Sequence, residues 1–187
     1  MKLIFAQGNP DPEYKKTRHN TGFMIVDAFA AQHDATWKVN EKFNALMAEM
    51  TIEGEKVLLV KPSTYYNDTG LAARKLVDFY KLDPAKDLLV IHDDIALPLG
   101  TLRIREKGSD AGNNGIKSLN THLGENYTRL RVGTWSERRD QVNDIDFVLG
   151  KFSKEEEKRL EKDIIPKAAE LVNKFLHGNL DSHSQSV

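Results

Sequence analysis

Six strand-length apolar runs are separated by stretches whose apolar residues recur every three or four positions. This alternation constrains the fold more than any other feature of the chain. The runs are Leu3–Gln7, Ala45–Ile52, Lys56–Val60, Leu88–His92, Thr101–Arg105 and Thr128–Gly133. Between them the spacing predicts helices from about Thr21 to His33, over roughly Leu71–Tyr80, after Gly115, and from Ser153 onward. Phe23, Met24, Val26 and Ala30 form the apolar stripe of the first helix, and Leu160, Ile164, Ala168, Leu171 and Phe175 that of the last. Ser153 with Glu156 is a capping box, Pro166 should kink the last helix, and Gly178 should stop it. Strands alternating with helices make an α/β sandwich with helices on both faces of the sheet. The turn Glu53-Gly54-Glu55 joins two runs as a hairpin, so the twisted sheet is mixed rather than parallel throughout. With 187 residues, one domain suffices. We place it at residues 1–178, with a polar, mobile tail over 179–187.

In such sheets sites form where strands end in loops at one edge, and four loops carry polar residues out of keeping with a plain connection. The stretch "GNPDPEYKKTRHNTG" follows the first strand. It is too rich in Pro and Gly for a strand or helix interior, and it brings Asn9 and His19. "KPSTYYNDTG" brings Asn67, the run "LLVI" ends in His92-Asp93-Asp94, and "GSDAGNNGIKS" brings Asn113 and Asn114. Any one Asn in a Gly-rich loop is ordinarily a turn or capping residue. A loop His is as often a surface group as a base, and His92 reads better as a structural group beside the sheet. The convergence of four such loops is the stronger sign.

Elimination narrows the chemistry. The chain has no cysteine, which removes disulfides, thiol nucleophiles and Cys-held metals and favours a cytoplasmic setting. No serine nucleophile elbow, phosphate-cradling P-loop, GxGxxG or HExxH occurs. A metal held by His19, His92 and Asp93 or Asp94 has no supporting spacing. What remains is a His with an Asp partner, flanked by amides. An imidazole accepts a proton from water near neutral pH, and a carboxylate on its other nitrogen fixes the tautomer. Asn amides hold a carbonyl or an oxyanion without adding charge. This set suits attack of water on an activated acyl ester. Two other classes stay open on the residues alone: a non-catalytic RNA-binding module and a metal-dependent hydrolase.

The four loops also carry a resemblance. "GNPDPEYKKTRHNTG" resembles the GNPG-x-x-Y-x-x-TRHN-x-G block of the bacterial-type peptidyl-tRNA hydrolases. "KPSTYYNDTG", "VIHDDIALPLG" and "GSDAGNNGIKS" resemble that family's later blocks, in the same order, from Leu3 to about Gly150. The resemblance implies an enzyme that cleaves the ester between a peptide and tRNA, with one α/β domain and no cofactor or metal. It puts the catalytic His at His19 and its supporting Asp at Asp93. The site asparagines fall on Asn9, Asn67 and Asn114, and substrate contacts on Tyr14 and Tyr65. Asn9 would read the peptide's first amide, Asn67 would hold the ribose or the adjacent backbone and help orient His19, and Asn114 would stabilise the oxyanion. Four residues depart from the family's blocks: Asp11 replaces a glycine, Tyr66 a methionine, Ala96 an aspartate and Asn113 a histidine.

The tRNA needs a basic landing site. Lys and Arg total 27 against 28 acidic residues, so a general basic coat is excluded and a local patch is required. Arg103 and Arg105 alternate on one strand, as Arg129 and Arg131 do on the next, so each pair shares a face. We expect Arg103, Arg105, Arg131, Lys107 and Lys117 to meet the acceptor stem and 3′ end. The alternative is a solvated face with acidic partners. No secretory signal and no bilayer-length apolar run is visible. A cytoplasmic monomer without membrane contact is expected.

Overall fold

The computed structural model describes every residue from Met1 to Val187. Eight strands form one sheet: β1 (Lys2–Ala6), β2 (Lys38–Asn40), β3 (Ala45–Ile52), β4 (Glu55–Pro62), β5 (Leu88–Pro98), β6 (Thr101–Arg105), β7 (Thr128–Trp135) and β8 (Ser184–Ser186). Their order is β2-β3-β4-β1-β5-β7-β6-β8. β1 runs parallel to β4 and β5, and β5 parallel to β7. The β2–β3, β3–β4, β6–β7 and β6–β8 pairs are antiparallel. The sheet is therefore mixed, as the hairpin required.

The helices are α1 (Thr21–Gln32), α2 (Thr69–Tyr80), α3 (Pro84–Asp87), α4 (Asn114–Leu123), α5 (Asp144–Val148), α6 (Lys154–Arg159) and α7 (Ile165–Leu176). Strand alternation sorts the core into two layers. Ile4, Ala6, Leu89 and Ile91 face one layer with Ile25, Phe29, Leu171 and Phe175, under α1 and α7. Leu3, Phe5, Leu88 and Val90 face the other with Ala73, Leu76, Ile116 and Leu119, under α2 and α4. Buried on both faces, β1 and β5 read as continuous apolar runs rather than alternating ones. Leu130, Val132, Leu102 and Ile104 all belong to the α1/α7 layer. On the opposite face the same two strands carry their arginines instead, and no apolar layer covers them.

The structure departs from the sequence reading in four places. First, β5 does not stop at His92. β7 continues beside it, so Asp93 and Asp94 keep ladder partners in Val132 and Gly133, and the register shifts only between Asp94 and Pro98. Second, the segment 179–187 is not a free tail. Ser184–Ser186 pairs with β6, and the Val187 N–H donates to the Gly100 carbonyl at 3.0 Å. Main-chain pairing to an open edge needs no apolar pattern, which is why composition does not reveal it. Third, the disturbance at Pro166 takes the form of a wide π turn over Leu160–Ile164, ahead of the proline. Fourth, β2, α3 and α5 are too short to leave a periodic signal. The Ser153 capping box forms as expected, with both of its hydrogen bonds present.

Candidate active site

The C-terminal ends of the parallel strands β1, β4 and β5 lie at one edge of the sheet, and the loops that follow them meet there. Gly22, in the first turn of α1, makes this junction possible. A Cβ at that position would lie 2.6 Å from the Ile91 carbonyl oxygen and 2.7 Å from that of Gln7, so only glycine lets the helix start press on the strand ends. Asp93 shares the face of Leu89 and Ile91, which α1 covers. His19 sits in the short turn Arg18–Asn20 immediately before α1. The two meet there, with His19 Nδ1 2.8 Å from Asp93 Oδ2. His19 Nε2 carries no hydrogen bond within the protein.

Arg18 holds that turn in place. Its side chain is fully buried and donates to the carbonyls of Thr134 (3.3 Å) and Lys151 (2.8 Å) and to Glu156 (2.6 Å). The guanidinium lies over the rings of Phe147 and Phe152. The same Glu156 closes the capping box of α6, so one carboxylate ties the His loop to the C-terminal helices. Burial lowers the Arg18 pKa even against Glu156.

Asp93 is itself 1% exposed. Burial pushes its carboxyl up, but the His19 ring beside it and the hydrogen bonds from His19 and Tyr66 outweigh burial and hold it below its ordinary value. The second donor is the Tyr66 hydroxyl, 2.7 Å from Asp93 Oδ1. Burial first, and the neighbouring Asp93 second, keep that phenol well above its usual pKa, so it stays protonated and donates. The Tyr66 ring stacks on the His19 imidazole with centroids 3.8 Å apart and planes 7° from parallel.

A cavity of about 510 Å³ opens in front of this pair. Of the residues expected from sequence, His19, Asp93, Asn114, Arg105, Arg131 and Lys107 line it together. The Asn114 amide has no protein partner and is free for a ligand. Asn9, at the start of the His loop, is buried and does not line this cavity. Its Oδ1 accepts from the Tyr66 N–H at 2.9 Å, and its backbone is bonded on both sides to the Asn20 amide. Its Nδ2 is unspent. Asn67 and Tyr65 lie on the exposed shoulder beside Tyr66, and Tyr14 lies on the His loop. None of these three lines the cavity, and Asn67 makes no bond to His19. Its neighbour Tyr66 makes that contact instead.

The basic patch assembles only in part. Cross-strand register puts Arg103 opposite Arg131 and Arg105 opposite Arg129, so all four share one face. Arg131, however, is paired with Asp94 at 2.6 Å, and Arg129 is buried against the Ser109 and Gly108 carbonyls. Arg103 donates to Ser184 of the edge strand at 3.3 Å. Arg105 and Lys107 reach the cavity wall, and Lys117 lies on the outer side of α4. No group of three or more acidic or His side chains is disposed to hold a metal.

His92 lies in the wall of the same cavity, at 4% exposure. Its Nδ1 donates to the Asp93 carbonyl at 2.8 Å, and its Nε2 meets no donor. Burial pushes the imidazole down to about 4, against the pull of Asp94 and Asp93. The unfolded chain takes up this proton near pH 6.5 and the folded one near 4. The contribution is therefore complete above pH 6.5 and drains as pH falls toward 4, by at most about 3 kcal/mol. Urea titrations should show wild type losing more stability between pH 7 and 5 than His92→Gln does. Parallel losses in the two proteins would refute a neutral buried ring.

Comparisons with known proteins point one way. The family model described as peptidyl-tRNA hydrolase matches residues 3–187. The peptidyl-tRNA hydrolase of Pediococcus pentosaceus is 49% identical over 158 residues, covering 83% of this chain and 83% of its own length. That of Synechocystis sp. is 44% identical over 179 residues, covering 95% and 91%. The crystal structure of the Acinetobacter baumannii peptidyl-tRNA hydrolase superposes with a TM-score of 0.85 at 32% identity, covering 95% of this chain and 89% of that one.

Proposed function

Because the chain belongs to the peptidyl-tRNA hydrolase family and hydrolyses the ester between peptide and tRNA, we propose that it does so with water activated by His19. The observation that carries this reading is the 2.8 Å contact between His19 Nδ1 and Asp93 Oδ2, with Nε2 left free beside the cavity. Asp93 keeps the Nδ1 proton in place, so Nε2 is the basic nitrogen. Nε2 takes a proton from water as the oxygen attacks the ester carbonyl carbon. The oxyanion collects at the Asn114 amide and nearby backbone N–H groups. On collapse the ribose oxygen leaves and takes the proton from the imidazolium. The products are a peptide carboxylate and free tRNA. Loss of peptide release from a defined peptidyl-tRNA in His19→Ala tests the reading.

The remaining polar residues sort substrate. Asn9 presents its unspent Nδ2 to the peptide's first amide. Asn67 and Tyr65 on the exposed shoulder, and Tyr14 on the His loop, meet the 3′ end. A site built to satisfy a substrate amide rejects the analogue lacking it. Asn9→Ala should therefore narrow the gap between N-acetyl-aminoacyl-tRNA and free aminoacyl-tRNA. Equal slowing of both substrates would remove Asn9 from discrimination.

Arg103, Arg105, Arg131, Lys107 and Lys117 hold the acceptor stem in this proposal. Arg105 and Lys107 support it best, as cations at the cavity wall without a carboxylate partner. Arg131 contributes less, because Asp94 already neutralises it. Each phosphate contact releases condensed counterions and steepens the salt dependence of binding. Arg103→Ala with Arg105→Ala should raise KM for peptidyl-tRNA and flatten the log–log salt slope by roughly one to two. Turnover of a short ester lacking the tRNA body should stay unchanged. Unaltered tRNA binding at every salt concentration would assign docking to another face. No helix is long and apolar enough to cross a membrane, and one chain supplies every site residue. We place the enzyme in the cytoplasm, where translation runs, and infer that it acts as a monomer.

A further inference from the structure

Two of the residues that depart from the family's blocks, Tyr66 and Asn113, touch each other, and Tyr66 touches both members of the catalytic pair. Tyr66 is 3% exposed, donates its hydroxyl to Asp93 Oδ1 at 2.7 Å, and lies flat on the His19 ring. The Asn113 amide donates to the same hydroxyl at 3.0 Å, and its own Oδ1 caps α4 through the Ile116 N–H. Gly115 makes room for the ring: a Cβ there would lie 2.5 Å from Tyr66 Cε1. His19 thus has one support at its edge, from Asp93, and a second across its face, from Tyr66.

We propose that Tyr66, steadied by Asn113, is a positioning residue of this enzyme. It fixes the plane of the His19 ring and sets how strongly Asp93 holds the imidazolium. The proposal rests on the reading of His19 as the base. An imidazole held only at one nitrogen can swing about its Cβ–Cγ bond, and a parallel aromatic face restricts that swing. The electron-rich ring also favours the cationic imidazolium formed as water is deprotonated. The hydroxyl acts in the opposite sense, because a donor to Asp93 draws charge away from the oxygen that faces His19. Asn113 sharpens that effect by donating to the hydroxyl and making it a better donor. His92, Asp94, Arg131, Arg139 and Asp144 line the same cavity, but none hydrogen-bonds to His19 or Tyr66. Tyr66 both stacks on His19 and hydrogen-bonds to Asp93.

The test compares wild type with Tyr66→Phe, Tyr66→Leu and Asn113→Ser. Tyr66→Phe keeps the stacked ring and removes the hydroxyl. The acid limb of kcat/KM should move to higher pH by about half a unit, and kcat should fall roughly three- to tenfold with KM within about twofold. Tyr66→Leu loses the stacked face as well, and kcat should fall further. Asn113→Ser keeps a capping oxygen and leaves Tyr66 in place. It should move the acid limb the same way by a smaller amount, so the inference stays testable even where a Tyr66 variant folds poorly. The titration of the His19 ring, followed by NMR in the free enzyme, should move with the acid limb. This NMR shift is independent of whether His19 is the base. A shifted titration with an unshifted rate profile would overturn the base assignment and keep the contact. An unmoved titration together with unchanged kcat in Tyr66→Phe would overturn the positioning role.

Discussion

Replacing His19 with alanine is expected to lower turnover on peptidyl-tRNA by about two to four orders of magnitude, the usual contribution of a positioned general base. The loss should fall on kcat rather than KM, because the imidazole acts on water and not on the bound tRNA body. The fold should survive. His19 is a loop side chain outside both apolar layers, and the turn that carries it is anchored by its neighbour Arg18 through Thr134, Lys151 and Glu156. Thermal unfolding with a midpoint close to wild type would establish that the loss is chemical.

Asp93→Asn should cost a comparable factor, roughly 10²–10⁴ in kcat, for a reason the neighbours supply. The Tyr66 hydroxyl is a committed donor, since Asn113 donates to it and its phenol is well above its ordinary pKa. An Asn at position 93 must therefore turn its oxygen toward Tyr66. Its NH₂ then faces His19 Nδ1 and forces the proton onto Nε2, the nitrogen that must accept one from water. The side chain keeps its size and loses the correct tautomer. The residual activity should also have its acid limb at lower pH, because the imidazolium loses its counter-charge. The pH–rate profile of the variant checks both effects. A profile and a turnover like those of wild type would mean that Asp93 does not serve His19.

Most of the architecture was legible in the chain because it rests on long periodic runs. β1 and β5 are buried on both faces and read as unbroken apolar stretches, and α1, α2, α4 and α7 show helical spacing. The elements that escaped were those held by main-chain pairing or single caps. Ser184–Ser186 is a polar strand that satisfies the edge of β6, and α5 is a five-residue turn capped by Asn143. Within the site, His19, Asp93 and Asn114 meet at the cavity as their placement after strands and before a helix implied. Tyr66 was visible only as a departure from a motif. Its partner on Asp93 is 27 residues away, and no local spacing marks a contact made through the fold. Arg131 illustrates the converse. Alternation put it on the basic face, but only the structure reveals that Asp94 already occupies it.

The central claim is that His19 supplies the base. The most direct measurement is the single-turnover rate of peptide release from a defined peptidyl-tRNA, by wild type and His19→Ala, from pH 5 to 8. Wild type should rise through one ionisation and level off. His19→Ala should be slow throughout and climb with hydroxide concentration, without a plateau. A folded His19→Ala protein that keeps both the plateau and a rate near wild type would contradict the account.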